Sequence, residues 1–294
     1  MDTISGARDI ETVVIGGGQA GLSTGYHLAK RGREFVILDS YERVGDNWRC
    51  HWDSLRLYAP ALATALPGMK FPAPRTSYPT KDEMADFLEA YRAKFELPVR
   101  GGVRVSAVRR DGDGYLVTCT DGSSYRCHNV VVATGTFGRA PSVPAFAGEL
   151  DPAIRQLHSS DYKRPSQLRS GGVLVVGASH SGGDIAFEAA STGHPVVLSG
   201  PIHGEVPFRL EKPVAKVAFP VLWFVAQHVI TMRTPIGRKA RPDIRAHGGP
   251  LIRVKKDDLA SVGVEMTPAR TVGVRDGRPM LDGNRVLDVT NVVW

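Results

Sequence analysis

Residues 12–21 read Thr-Val-Val-Ile-Gly-Gly-Gly-Gln-Ala-Gly, and this stretch decides the fold. Thr12 to Ile15 is a short β-branched run of the kind that forms a buried strand. It enters Gly16, Gly17, Gly18, Gln19, Ala20 and Gly21, after which Leu22, Tyr26 and Ala29 recur on one helical face. Strand, glycine turn and helix in this order form a dinucleotide site. Gly16 permits the tight turn, Gly18 leaves room for the backbone to approach a pyrophosphate, and Gly21 lets helix and strand pack closely. The pyrophosphate is expected at the helix start, with Gln19 and Ala20 among the binding residues, because unpaired amides and the dipole there favour negative charge. Phe35 to Leu38 reads as a second strand. Asp39 follows it, 18 residues after Gly21, and its carboxylate suits a pair of ribose hydroxyls.

The construction returns at Val173 to Val176, followed by Gly177, Ala178, Ser179, His180, Ser181 and Gly182 and by a helix carrying Ile185, Ala186, Ala189 and Ala190. Ser179 replaces the middle glycine; a serine side chain can still point away from phosphates. The strand Val196 to Leu198 ends in Ser199 rather than in an acid. An acid would repel a 2′-phosphate, so its absence favours NADPH over NADH, and glutamate at 199 is expected to shift the preference towards NADH. Arg209, with Lys212 and His203, is a candidate contact for that phosphate.

Gly177 lies 161 positions after Gly16, and Asn291 lies 162 after Asn129. Strands are expected at Val103 to Val108, Tyr115 to Thr120 and Asn129 to Val132, with turns at Asp113-Gly114 and Asp121-Gly122. Thr271 to Val274, Asp276-Gly277, Asp282-Gly283 and Asn291 to Val293 repeat that order, so the chain reads as a duplicated module. The expected fold is α/β: two Rossmann-like domains with parallel sheets, each with a β-meander insertion, spanning residues 1–165 and 166–294. The first module's last strand runs on into Ala133, Thr134 and Gly135, whereas the second reaches Trp294 inside an apolar strand, and a truncated chain is therefore expected.

A length of 294 residues with 42% hydrophobic and 23% charged residues suits two globular domains. The formal charge of +7 comes from scattered Lys and Arg without interleaved aromatics, so nucleic acid is not an expected partner. Cys50, Cys119 and Cys127 are too few and too irregularly spaced for a disulfide framework or a zinc site, and no metal is expected. Met1 to Glu11 holds no apolar run, so a cytoplasmic location is expected. The apolar run Val217 to Ala226 contains Pro220 and falls short of the ~20 residues that span a bilayer. With Arg233, Arg238, Lys239 and Arg241 behind it, it reads as a membrane-surface or substrate-tunnel helix or, preferred here, as a buried insertion or a homodimer contact.

These motifs resemble those of the two-dinucleotide-binding flavoproteins and, among them, the flavin-containing monooxygenases. Arg43, Gly45, Asp46, Asn47, Trp48 and Arg49 are similar to that family's Gly-Gly-x-Trp stretch, whose backbone and tryptophan lie along the flavin. Val-Val-Val-Ala-Thr-Gly at 130–135, with Pro141 and Pro144, resembles the link that leaves the FAD domain. Phe146, Gly148, His158 and Tyr162 are similar to the family's Phe-x-Gly-x-x-x-His-x-x-x-Tyr signature, with nine residues instead of three between Gly148 and His158. Leu-Pro-Gly-Met at 66–69, Phe71-Pro72 and Tyr78-Pro79-Thr80-Lys81 resemble plant YUCCA-type enzymes and their bacterial relatives.

The resemblance implies FAD on the first module, contacting Asn47, Trp48, Val105, Thr134 and Gly135, and NADPH on the second. It further implies that NADPH reduces FAD, that molecular oxygen adds to give a flavin hydroperoxide, and that one oxygen atom passes to a small organic substrate. This scheme requires no acid–base side chain, so no catalytic residue is assigned. Without a close cysteine pair, the disulfide-reductase branch is excluded. The alternatives are an NADPH-dependent flavin oxidoreductase or oxidase without oxygen transfer, and a nucleotide-binding fragment without catalysis.

Overall fold

A computed structural model describes residues 6–136, 140–210, 212, 215–246 and 248–294, so the reading of the N-terminus lies partly outside the described residues. The chain folds as two units, Met1–Ala140 and Pro141–Trp294.

The first unit contains β1 (Arg8–Ile15), α1 (Gln19–Ala29), β2 (Phe35–Leu38), α2 (Asp46–Arg49), α3 (Ala61–Thr64), α4 (Lys81–Lys94), β3 (Val99–Arg100), β4 (Val105–Asp111), β5 (Gly114–Cys119) and β6 (Ser124–Val132). Its six-stranded sheet has the order β3-β2-β1-β6-β5-β4. The first four strands are parallel, and β5 and β4 add antiparallel at one edge. Because side chains alternate across a strand, Val14 and Ile37 face one core with Leu22 of α1 and Met84, Phe87, Leu88 and Tyr91 of α4, while Val13, Val36 and Leu38 face the other with Val117, Tyr125 and Cys127. The four α4 residues follow an i, i+3, i+4, i+7 spacing, which places them on one buried face. That helix starts at a capping box: the Glu83 amide donates to Thr80 Oγ1 (3.1 Å) and the Thr80 amide to Glu83 Oε2 (2.7 Å).

The second unit contains β7 (Arg155–Leu157), β8 (Val173–Val176), α5 (His180–Ser191), β9 (Val196–Ser199), α6 (Ala215–His228), α7 (Pro235–Ala246), α8 (Lys256–Ser261), β10 (Glu265–Thr267), β11 (Thr271–Arg275), β12 (Arg278–Leu281) and β13 (Asn291–Val293). Its sheet, β10-β9-β8-β13-β7, is parallel throughout.

Residues 141–165, expected with the first domain, contribute β7 to this second sheet through the register Asn291↔Arg155 to Val293↔Leu157. Trp294 extends the pairing: its amide donates to Leu157 O (2.8 Å), its indole N–H to Gln156 Oε1 (3.0 Å), and its ring meets Phe146 edge-on at 6.0 Å. Backbone pairing thus moves the boundary to residue 140. The signature residues act as braces in this unit. Tyr162 is fully buried and donates to Glu188 Oε2 (2.8 Å), and His158 Nδ1 accepts the Ser160 amide (3.1 Å).

The repeated meander also differs between the halves. Nine-residue β6 pairs with β1 along one edge (125–132) and with β5 along the other (124–127), whereas three-residue β13 is flanked by β8 and β7 and carries no hairpin strand. The hairpin β11–β12 therefore forms its own two-stranded sheet. Its Asp276-Gly277 turn has φ of +51° and +73°, the doubly positive geometry that a two-residue hairpin favours.

In α6 the described side chains count against a buried insertion and do not bear on the homodimer contact. Val221, Leu222, Trp223 and Phe224 are all exposed, while the side chains at 217, 219 and 226 lie outside the described residues. Among the described residues no helix is long and apolar enough to cross a membrane.

Candidate cofactor site

Gly16, Gly17 and Gly18 occupy the bend between β1 and α1. Gly16 has φ +109°, and a Cβ there would lie 2.4 Å from Ala133 O, on the continuation of β6. A Cβ on Gly21 would lie 1.8 Å from Gly16 O, so helix and strand touch through a missing side chain. Gly18 is different: a Cβ there would meet only Asn47 Nδ2, at 3.9 Å, and the space in front of it is open. Gly18 also N-caps α1 without a side-chain cap, which leaves first-turn amides for an anion.

That space belongs to a cavity of about 540 Å³, within the size range of cofactor sites. Of the residues expected at the cofactor, Gly16, Gly18, Gln19, Ala20, Asp39, Asn47, Trp48, Val105, Thr134 and Gly135 line it. Gly21 does not, because it is buried against the strand. Asp39 is held by the amides of Gly17, which donates to Oδ2 (2.5 Å), and Tyr41, which donates to Oδ1 (2.9 Å). A carboxylate has about four lone-pair sites, so it retains capacity for hydroxyl donors. The dimensions, the open face of Gly18 and the oriented carboxylate fit the pyrophosphate and ribose of a dinucleotide.

Sequence reasoning missed Tyr41, His51 and Arg104 on the cavity wall. Tyr41 and Arg104 arrive together because Val103 N–H donates to Asp39 O (2.8 Å) and Gly102 N–H to Tyr41 O (2.9 Å), a long-range pairing without a local motif. Burial is the main cause that pushes the Tyr41 phenol up. Trp48 lines the cavity and packs on the core, 5.6 Å from the His51 ring, while Trp52 is a core residue.

The segment carrying Asn47 and Trp48 is fastened to α4. Arg49 donates to Val44 O (3.1 Å), Asp46 Oδ1 (3.0 Å), Asp86 Oδ1 (2.8 Å) and Glu89 Oε2 (3.0 Å). Arg49→Met is expected to lower stability by ~1–2 kcal/mol and to weaken flavin retention, read from urea midpoints and flavin content. The hydrogen bond from Arg43 holds the Glu89 carboxyl below its usual range. The contribution of this clamp is therefore present above the ordinary carboxylate pKa and is lost as pH falls through the lowered one.

The second bend repeats the first. Gly177, Ala178 and Ser179 join β8 to α5, Gly177 has φ +102°, and a Cβ on Gly182 would lie 1.8 Å from Gly177 O. Ser179 Oγ donates to Gly249 O (2.9 Å), and the His180 ring packs against Gly249. Burial pushes the His180 imidazole below its ordinary pKa. Ser181 lies in the first turn of α5. Arg209 pairs with Asp258 of α8 at 2.8 and 3.0 Å.

The register shows which residue of the second half stands in the place of Asp39. Gly16 N–H donates to Leu38 O (2.7 Å) and Gly177 N–H to Ser199 O (2.8 Å), so Ser199 corresponds to Leu38. Asp39 N–H donates to Arg100 O and Gly200 N–H to Thr267 O, both at 2.9 Å, so Gly200 corresponds to Asp39. The offset of 161 already pointed to this residue. Ser199 is only 1% exposed and donates to Ala269 O (2.8 Å), which places its side chain in the unit's interior.

The fold and its two dinucleotide bends define a two-module flavoprotein oxidoreductase. The profile of the family described as pyridine nucleotide-disulphide oxidoreductase matches residues 13–205. An uncharacterised CzcO-like oxidoreductase of Geobacillus kaustophilus is 35% identical across 97% of this chain and 79% of its own length. The CzcO oxidoreductase of Bacillus subtilis is 40% identical across 60% of this chain, which spans about half (51%) of that relative. Probable indole-3-pyruvate monooxygenase YUCCA9 of Arabidopsis thaliana is 28% identical across 96% of this chain and 73% of its own length. The flavin-containing monooxygenase of Stenotrophomonas maltophilia superposes with a TM-score of 0.71 at 27% identity, covering 98% of this chain and 78% of that structure. The chain belongs to the pyridine nucleotide-disulphide oxidoreductase family, in its flavin-containing monooxygenase branch, whose cofactors are FAD and NADPH.

Proposed function

We propose that this chain binds FAD at the β1–α1 bend and NADPH at the β8–α5 bend of a cytoplasmic monooxygenase that transfers one atom of molecular oxygen to a small organic substrate. One observation carries the reading: a single chain holds two glycine bends of matching geometry, each with a glycine 1.8 Å by its absent Cβ from the first glycine's carbonyl. A chain that binds both nucleotides needs an electron acceptor. Its three cysteines form no disulfide, with Cys119 and Cys127 buried in a sheet core and Cys50 exposed, which argues against a dithiol acceptor. Bound FAD supplies the hydride acceptor and the oxygen-reactive centre. The protein's part is binding and orientation: first-turn amides of α1 hold the pyrophosphate, Asp39 the ribose, and Trp48 and Thr134 the walls of the cavity.

The deciding experiment is an absorbance spectrum of the purified chain reconstituted with FAD, followed by NADPH titration under nitrogen and then admission of oxygen. Bound flavin bleached by about one equivalent of NADPH, then reoxidised with oxygenated product, is expected. A chain that remains colourless with excess FAD sinks the proposal, and peroxide release that no substrate suppresses would indicate an oxidase.

Selectivity is tested at the position that corresponds to Asp39. Gly200→Asp is expected to lower the NADPH to NADH preference about tenfold or more, since the new carboxylate faces the 2′-phosphate. The strain of φ +124° at Gly200 burdens both cofactors equally and cancels in the ratio. Ser199→Glu instead buries a charge and is expected to cost at least ~3 kcal/mol of stability without changing that ratio. Kd values for both nucleotides and a urea midpoint separate the two outcomes.

A further inference from the structure

We infer that the helical pair α6–α7 is a docking surface for an anionic membrane, on which the protein sits peripherally. Val221, Leu222, Trp223 and Phe224 form a full helical turn, and all four are exposed, with Val221 at 59%, Trp223 at 42% and Phe224 at 58%. Four consecutive apolar side chains that each keep about half of their surface in solvent exceed the scattered single apolar residues of an ordinary surface. Ile230, Met232 and Ile236 extend the apolar surface into the start of α7, with Ile236 at 60%. The link between the helices is ordered, since Thr234 Oγ1 accepts the Gly237 amide (3.1 Å) and Gly237 is packed against Thr231.

Charge selects the occupant. Between residues 213 and 252 the sequence has Lys216, Arg233, Arg238, Lys239, Arg241 and Arg245 but a single acid, Asp243. Arg233, Arg238, Lys239 and Arg241 are exposed next to the apolar residues. Trp and Phe with flanking Lys and Arg are the combination that lies in the interface of a negatively charged bilayer, with rings at headgroup level and cations on phosphates. Fourteen-residue α6, interrupted by Pro220, is too short to cross, so the association is superficial. The surface does not involve either glycine bend, so it stands whether or not the proposed chemistry does.

The test is flotation of the full chain with vesicles. Binding is expected to phosphatidylcholine vesicles that contain about 30% phosphatidylglycerol, with at least tenfold weaker binding to pure phosphatidylcholine and release at ~0.5 M salt. Trp223→Ser with Phe224→Ser, and separately Arg238→Glu with Lys239→Glu, are each expected to reduce binding at least tenfold. Arg238 and Lys239 are exposed, so the urea midpoint of that variant should not move, and it decides by itself if the Trp223, Phe224 variant loses stability. Equal binding to both vesicle types, or wild-type binding by the folded variants, overturns the inference. So does a sedimentation-equilibrium dimer that the Trp223, Phe224 variant dissociates, which would assign the surface to a second copy.

Discussion

Gly18→Val is expected to yield a folded protein that purifies without flavin and does not take it up from excess FAD. Gly18 has φ −82° and ψ −167°, extended backbone that a β-branched residue adopts readily. A Cβ there approaches nothing closer than Asn47 Nδ2 at 3.9 Å, so the protein itself loses little: up to ~1 kcal/mol for a poorer helix N-cap. The added methyls enter the cavity in front of the α1 amides, where a pyrophosphate has to lie within hydrogen-bond distance of the backbone. Displacing it costs several charge-assisted hydrogen bonds, each worth ~1.5–3 kcal/mol, which puts the loss of affinity at a hundredfold or more. Flavin absorbance and a thermal melt on the same sample check this. A yellow Gly18→Val protein would mean that the cofactor does not meet this bend.

Gly182→Ala should behave in the opposite way and damage the fold itself. Its Cβ would stand 1.8 Å from Gly177 O and 3.0 Å from Gly177 C, both backbone atoms of the preceding turn. No rotamer relieves that contact, so α5 has to move off β8. The expected cost is ~3 kcal/mol, net of the up to ~1 kcal/mol that alanine gains over glycine in a helix. The neighbouring position is the control. At Gly183 a Cβ would meet only Leu251 Cδ2, at 2.7 Å, the end of a flexible side chain that can rotate aside. Gly183→Ala is therefore expected to lie within about 1 kcal/mol of wild type. Urea midpoints that fall in the reverse order would show that α5 and β8 are not packed through Gly182.

The first module was the more legible of the two because its chemistry is local. The run from Thr12 to Asp39 contains strand, turn, helix, strand and acid within one contiguous stretch, and each glycine is needed for a contact with its own neighbours in sequence. Asn47, Trp48, Thr134 and Gly135 were readable only through resemblance, yet they line the same cavity as the glycines. Tyr41 and Arg104 carry no such signal, since it is pairing across some sixty residues that brings Val103 beside Asp39, and His51 comes in on the turn after Trp48, whose carbonyl accepts its amide (3.0 Å). At the second module the error of one position, Ser199 for Gly200, came from the last apolar residue being taken as the strand end. The backbone ladder runs one residue further, and a one-residue shift in a strand exchanges an inward side chain for an outward one.

Local patterns alone determined that this chain is a duplicated α/β protein with two glycine bends that each join a strand to a helix, because the spacing of glycines, β-branched runs and helical apolar faces follows from steric rules that act over a few residues. The tertiary structure alone decided where the two units divide, which residue occupies the place of Asp39 in the second half, and that a turn of α6 stands in the open. Each of those depends on which backbone amides pair and which side chains are covered by segments distant in the chain, and single-sequence periodicity is blind to both.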